Sequence, residues 1–267
     1  MPNQDDDHAL AAELASTAGR LLLELRAELG FADTNALKDA GDLRSHEFLM
    51  TALARARPGD AVLSEEGGDD LKRLDADRVW IIDPLDGTRE YGEEGRTDWA
   101  VHVALWERSS ARPGRLSAGA VALPAQDVTL ATTSDGAGFG YTPVKDPEVI
   151  RVAVSRSRPP EFVRSLAERL GNVELVPIGS AGAKFSAVLL GRVDAYVHAG
   201  GQYEWDNAAP AVVAWAAGAH VSRIDGTEPV YNQKDPELPD ILVCHPTLAP
   251  MLLAGIRDVS TETAPEG

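Results

Sequence analysis

Apolar residues near the start of the chain recur at helical spacing. Leu10, Leu14, Ala18, Leu21, Leu22 and Leu25 share one helix face, predicting a helix over 10–29 that stops at Gly30. A second helix is predicted over 43–56, ended by Pro58-Gly59. Strand-like runs follow at 61–63, 79–82 and 99–106. In the last of these Ala100, His102, Ala104 and Trp106 alternate with Val101, Val103 and Leu105. Two more runs, 118–123 and 128–132, flank Pro124-Ala125-Gln126-Asp127, which suits a hairpin connection. Two helices followed by a meander of strands is an α+β order.

Two prolines and mixed charges at 141–147 mark an expected boundary, dividing the chain into 1–145 and 146–267. Beyond it strand and helix signals alternate. Strands are predicted at 151–154, 174–177 and 195–198, and helices at 161–170, 181–190 and 206–217, each helix followed by glycine. This half reads as a smaller α/β unit. Residues 1–7 and about 260–267 are expected to fray.

Composition narrows the function classes. Of 267 residues, 44% are hydrophobic and 25% charged, as in ordinary globular proteins. The net charge of −17 (25 basic against 42 acidic residues) argues against a nucleic-acid polymer or an anionic membrane as partner. That charge suits an anionic substrate only if some carboxylates are neutralised by divalent cations. The single cysteine, Cys244, excludes an internal disulfide and a Cys-rich zinc site. The start Met1-Pro2-Asn3-Gln4-Asp5-Asp6-Asp7 lacks signal-peptide character, and the apolar stretch 208–219 is too short to span a bilayer, so a cytoplasmic location is expected.

The chemistry concentrates in Asp83-Pro84-Leu85-Asp86-Gly87-Thr88, directly after the strand 79–82. Proline is expected to end the ladder and Gly87 to allow a tight turn, so Asp83 and Asp86 converge with the Leu85 carbonyl between them. Two carboxylates and a carbonyl are the oxygen ligands that a hard cation takes. Gly87 and Thr88 would open a helical turn whose N–H groups suit a phosphate. An acidic β-turn is the structural alternative. Glu65-Glu66 ends the strand 61–63, and if the two strands pair, both acidic ends share one sheet edge; otherwise the pair lies in a solvated loop. Asp206 precedes an apolar helix and Asp42 the second helix, where helix capping is the structural alternative.

Together, Asp42, Glu65-Glu66, Asp83 to Thr88 and Trp205-Asp206-Asn207-Ala208-Ala209 resemble, in order and type, the lithium-sensitive, magnesium-dependent phosphatases. That superfamily includes inositol monophosphatases, fructose bisphosphatases and 3′(2′),5′-bisphosphate nucleotidases. The resemblance implies a layered αβαβα sandwich with an antiparallel N-terminal sheet and a smaller C-terminal α/β sheet. It also implies two to three Mg2+ ions. Glu65, Asp83 and the Leu85 carbonyl would hold one ion, and Asp83, Asp86 and Asp206 a second. Asp42 and Thr88 would position and deprotonate the attacking water.

Arg89-Glu90-Tyr91, Val154-Ser155-Arg156-Ser157-Arg158 and Gly179-Ser180-Ala181-Gly182-Ala183-Lys184-Phe185 are similar to the nucleotidase branch. That likeness implies hydrolysis of the 3′-phosphate of 3′-phosphoadenosine 5′-phosphate, as in sulfate assimilation. The reacting phosphate would sit at Gly87 and Thr88. Ser180, the amides opening the 181–190 helix and Lys184 would supply donors for the second phosphate. A surface role for Lys184, and likewise for Arg156 and Arg158, is the alternative. An inositol-1-phosphate or fructose-1,6-bisphosphate phosphatase, and a non-catalytic phosphate- and metal-binding module, are the competing functions. Relatives of this type are commonly dimers, so a homodimer is expected. No residue stands out as an adenine-stacking aromatic.

Overall fold

The computed structural model describes residues 6–109, 114–135, 147–157 and 159–262. Helices α1 (Asp7–Leu29) and α2 (Thr34–Ala56) come first. Strands β1 (Ala61–Ser64), β2 (Arg78–Asp86), β3 (Ala100–Glu107), β4 (Arg115–Leu123) and β5 (Val128–Ala131) then form one sheet in chain order. The short helix α3 (Thr88–Tyr91) follows β2. A second sheet, ordered β7-β6-β8-β10-β9, contains β6 (Ile150–Ser155), β7 (Val173–Ile178), β8 (Ala195–Ala199), β9 (His220–Ser222) and β10 (Asp240–Cys244). Helices α4 (Glu161–Leu170), α5 (Ala181–Leu189), α6 (Glu204–Ala216) and α7 (Ala249–Glu262) complete the chain.

Three apolar clusters show the layering. Ala11, Leu14, Ala18 and Leu22 of α1 and Leu49 and Leu53 of α2 cover one face of the first sheet, against Trp80, Ile82, Val101, Val103 and Leu105. The alternate residues Val79, Ile81, Ala100 and Ala104 face a central layer with Ala183 and Val188 of α5 and Ala208 and Val212 of α6, which also meets Ala153, Tyr196 and Val243 of the second sheet. The outer face of that sheet packs Val152, Val197 and Leu242 on Val163 and Leu166 of α4 and Leu252 and Ile256 of α7. The order is αβαβα, as the resemblance implied. Because both faces of each sheet are covered, the central strands are apolar at nearly every position.

Several boundaries differ from the sequence reading. α2 begins nine residues early, at Thr34, with Asp33 accepting the Ala36 N–H at 3.0 Å. Gly41, ahead of the predicted helix start, lies in the buried stripe Leu37, Gly41, Ser45, Leu49, Leu53. A Cβ at Gly41 would fall 2.7 Å from Tyr91 Cε1 and 2.9 Å from Leu85 Cδ2, so this glycine permits a close approach. The edge pair β1–β2 is parallel, whereas the rest of the first sheet is antiparallel. Helix α1 starts at Asp7, capped by Asp6, instead of fraying there, and α7 continues to Glu262. The expected boundary at 145/146 and Arg158 lie outside the described residues.

Candidate active site

The parallel pairing of β1 and β2 fixes the first contact. Ser64 is in register with Ile82, and the Glu65 N–H donates to the Ile82 carbonyl at 3.4 Å, so Glu65 and Asp83 leave the sheet at the same edge. Pro84 does not end the ladder. β2 continues to Asp86 through an irregularity between Asp83, opposite His102, and Asp86, opposite Ala100. A proline is tolerated in such a bulge because no ladder N–H is required of it. The Pro84 carbonyl accepts from Ser45 Oγ at 2.7 Å, and the Leu85 N–H donates to Asp83 Oδ1 at 3.0 Å. Gly87, at φ +86°, then turns the chain into α3. A Cβ there would also meet Ser180 Cβ at 2.8 Å.

Asp42 reaches this turn from inside α2, not from its cap. Thr88 Oγ1 lies 3.2 Å from the Leu85 carbonyl and 3.5 Å from Asp42 Oδ1. Asp206 lies in the first turn of α6, where its Oδ2 accepts the Tyr203 N–H at 2.7 Å. Capping thus engages one of the two oxygens of its carboxylate.

Of these carboxylates Asp83 and Asp86 are buried, Asp42 and Asp206 are half-buried, and Glu65 is at the surface. Asp83 is 1% exposed, and burial, then the charges of Glu65, Asp86 and Asp206, push its pKa well above the ordinary range. Glu65 is raised to about 7, first by burial and then by Asp86, Glu66 and Asp42, against a hydrogen bond with Asp83 that lowers it. Asp206 is raised to about 7 by burial and Asp86. Asp42 is raised to about 7 by burial and Glu66. Asp86 differs: burial pushes it up, but the neighbouring His102, the charge of Lys184 and the Gly182 N–H bring it below the usual value. Oxygen donors held together against burial and mutual repulsion are a donor set that a hard divalent cation satisfies.

His102 was not singled out by the sequence as a site residue. It is buried on β3, with Nε2 3.2 Å from Asp86 Oδ2, Nδ1 3.9 Å from Asp83 Oδ2 and Nδ1 3.0 Å from the Trp205 carbonyl. Asp83, Asp86 and His102 lie with candidate ligand atoms within 4.8 Å of one another, although the ring can ligate a metal only when one of its nitrogens is unprotonated. Burial lowers the His102 pKa, but the Asp86 carboxylate raises it past its ordinary value. Both ring nitrogens face oxygens that accept, which favours the doubly protonated ring. Period two along β3 was the available signal, because it puts His102 on the same face as Ala100 and Ala104, towards the central layer. Gly182 makes room for the ring, since a Cβ there would fall 2.1 Å from Nε2.

The α5 end corrects one expectation. Its first amides are not free: Ala181 and Gly182 N–H donate to Asp86 at 3.1 and 2.6 Å, and Ala183 N–H to Ser180 Oγ at 2.9 Å. The α5 N-terminus therefore stabilises a site carboxylate instead of offering open donors. Lys184 is not a surface lysine. It is 5% exposed, and its Nζ donates to the carbonyls of Gly179 and Ser180; burial lowers its pKa. Arg156 is paired too, with Glu90 Oε1 at 2.8 Å and Glu93 Oε1 at 2.7 Å. Tyr91 is buried, donating its hydroxyl to the Leu22 carbonyl at 2.9 Å. Glu90 and Tyr91 of the nucleotidase-like run thus belong to the scaffold, whereas Arg89 is exposed.

The chain is similar to several known proteins of one family. A 3′-phosphoadenosine 5′-phosphate phosphatase of Mycobacterium leprae is 53% identical over 257 residues, covering 95% of this chain and 94% of that protein. The 3′(2′),5′-bisphosphate nucleotidase CysQ of Escherichia coli is 30% identical over 209 residues, covering 75% and 82%. Among solved structures, Mycobacterium tuberculosis SuhB superposes with a TM-score of 0.70 at 26% identity, covering 94% of this chain and 96% of that one. The profile of the inositol monophosphatase family matches residues 3–261. By that match and by these relatives, the chain belongs to the inositol monophosphatase family.

Proposed function

We propose that the chain is a magnesium-dependent phosphomonoesterase that removes the 3′-phosphate of adenosine 3′,5′-bisphosphate. What supports this reading is the buried Asp83, on which the charges of Glu65, Asp86 and Asp206 all act, in a family that is metal-dependent. The nucleotide is supported by the M. leprae relative, which is named for that substrate and matches nearly all of both chains. Glu65, Asp83 and the Leu85 carbonyl would hold one ion, and Asp83, Asp86 and Asp206 another, with two to three ions in all. Bound there, divalent cations lower the pKa of water and offset charge on the attacking and leaving oxygens.

The remaining work falls to the chain's own residues. Thr88 Oγ1 has one proton, which it can donate to the Leu85 carbonyl or to Asp42 Oδ1; directed at Asp42, it would leave a lone pair to orient a water and take its proton as the hydroxyl proton passes to Asp42. Asp42, with a pKa of about 7, is suited to take that proton from Thr88 near neutral pH. Gly87 and Thr88 border the reacting phosphate. With the α5 amides engaged, Ser180 and Lys184 act on the substrate through their position and charge, and Lys184 also helps to hold Asp86 ionised. For the base, the ring of Tyr203 is 42% exposed and stacks on Trp205, with centroids 4.8 Å apart, while its N–H binds Asp206. An exposed aromatic face beside the site suits a purine better than a polyol.

The chain would act as two units, 1–145 and 146–267, each carrying part of the site. A cytoplasmic homodimer acting on small phosphorylated metabolites is the setting we propose; no described helix is long and apolar enough to cross a membrane. A substrate panel with Mg2+ tests the reading. Adenosine 3′,5′-bisphosphate should be hydrolysed far faster than inositol-1-phosphate or fructose-1,6-bisphosphate, and the reverse order would overturn it.

A further inference from the structure

The connection from β1 to β2 carries a buried cation that the chemistry above does not use. Arg73 lies in a 3-10 turn, Leu71–Asp75, and is only 1% exposed. A guanidinium so buried is tolerated only if its donors are met by well-placed acceptors. Here they are met from two directions. Nε and Nη2 form a bidentate pair with Asp69 at 2.7 and 2.9 Å. Nη1 donates to Asn232 Oδ1 at 2.7 Å, and Nη2 to the Gln233 carbonyl at 2.8 Å.

The same dipeptide is held from its other side by Glu204. Its Oε2 accepts the Asn232 N–H at 2.6 Å and its Oε1 the Gln233 N–H at 2.7 Å. Glu204 is itself 1% exposed. Asn232 sits at φ +59°, a conformation that costs a non-glycine residue energy and persists only where surrounding contacts fix it. Asp69 is four residues past Glu65, and Glu204 is two residues before Asp206. A continuous chain of charge-assisted hydrogen bonds, buried at Arg73, Asn232 and Glu204 and reaching the surface at Asp69, therefore joins the segment bearing Glu65 to the helix start bearing Asp206.

The two segments so tied are the ones that carry Glu65 and Asp206. We propose that Arg73 is a positioning residue for the metal site. Through Asp69 on one side and the Asn232–Gln233–Glu204 bridge on the other, it holds Glu65 and Asp206 at ligand spacing before any cation arrives. This rests on the reading of Glu65 and Asp206 as metal ligands. The effect is one of preorganisation, so it should appear in ion affinity more than in the chemical step.

The test is direct Mn2+ binding to the full chain, followed by the signal of free Mn2+ in electron paramagnetic resonance, alongside thermal melting and turnover against Mg2+ concentration. Arg73→Lys keeps a charge but loses the two-sided fork, and Arg73→Met removes both. For Arg73→Lys we expect binding weakened by about tenfold, in the range typical for lost outer-shell partners of metal sites, with most turnover recovered at saturating Mg2+. Arg73→Met should be weaker still. Asp69→Asn, at a half-buried position, should weaken binding in the same direction and covers the case in which an Arg73 variant does not fold. A lower melting temperature with unchanged Mn2+ affinity would make Arg73 merely structural and overturn the proposal. Absence of Mn2+ binding by the unmodified chain would instead overturn the metal-site reading, and the clamp with it.

Discussion

His102 Nε2 lies 3.2 Å from Asp86 Oδ2, at the point where the first sheet meets the central helical layer. The ring's other nitrogen lies 3.0 Å from the Trp205 carbonyl, one residue before Asp206. One buried imidazole therefore touches both elements that supply Asp86 and Asp206, and its positive charge keeps Asp86 ionised where burial opposes it. Replacing it with Leu should lower kcat/KM by about 10- to 100-fold, the usual cost of losing a partner of a site carboxylate. Steady-state kinetics over a range of Mg2+ concentrations would check this, and an unchanged kcat/KM would show that Asp86 does not depend on the ring.

Crowded carboxylates also set a pH dependence. In the folded chain without cations, Glu65, Asp42 and Asp206 keep their protons up to about pH 7, against ordinary values of 4.5, 3.8 and 3.8. Between those limits the folded chain binds more protons than the unfolded chain. These groups therefore stabilise it below the unfolded values and lose that contribution as pH rises through about 7. The melting temperature without cations should fall between about pH 5.5 and about pH 8. Cations compete with the same protons, so Mg2+ should raise the melting temperature more at the higher pH. Scanning fluorimetry over a pH series reads both trends.

Asp83 is buried, and three carboxylates act on it. Asp83→Asn should abolish phosphate release while raising the melting temperature of the cation-free chain, because one repelling charge is removed. The two readings move in opposite directions, which a simply misfolded variant cannot produce.

Much of this was legible in the sequence. The helical spacing of Leu10 to Leu25 gave α1, and the order of Asp42, Glu65, Asp83 to Thr88 and Asp206 gave the family resemblance, because residue type and spacing are local properties. What was missed depends on contacts between distant segments. Gly41 reads locally as lying ahead of the second helix, yet it lies inside α2 because Tyr91 and Leu85 pack onto it. The α5 amides read as open donors, and only the fold brings Asp86 onto them. Arg73 and His102 carry no local signature: each is explained by partners more than a hundred residues away as well as by near ones.

Gly41 allows two effects to be weighed against each other. In a helix interior, Gly→Ala normally stabilises by about 1 kcal/mol. Here the added methyl would lie within 3 Å of two buried side chains, and overpacking costs about 1–3 kcal/mol. Gly41→Ala should therefore lower the urea midpoint. It should also reduce activity, since Leu85 lies in the turn proposed to hold metal. A raised midpoint would contradict the close packing described.

Tyr203 offers a test of base recognition. Stacking of a base on an aromatic ring contributes about 1–3 kcal/mol, so Tyr203→Ala should raise KM for adenosine 3′,5′-bisphosphate by about tenfold or more. KM for a phosphomonoester without a base should stay as it was, and Tyr203→Phe should behave like the parent chain. Equal changes for both substrates would remove Tyr203 from base recognition.

The central claim is that buried carboxylates gather divalent cations to cleave a nucleotide 3′-phosphate, and product analysis tests it most directly. The purified chain is incubated with adenosine 3′,5′-bisphosphate, with Mg2+ or after chelation, and the nucleotide products are resolved by chromatography. The account predicts adenosine 5′-monophosphate and inorganic phosphate with Mg2+, and no product after chelation. Release of the 5′-phosphate instead, or equal turnover without a divalent cation, would contradict it.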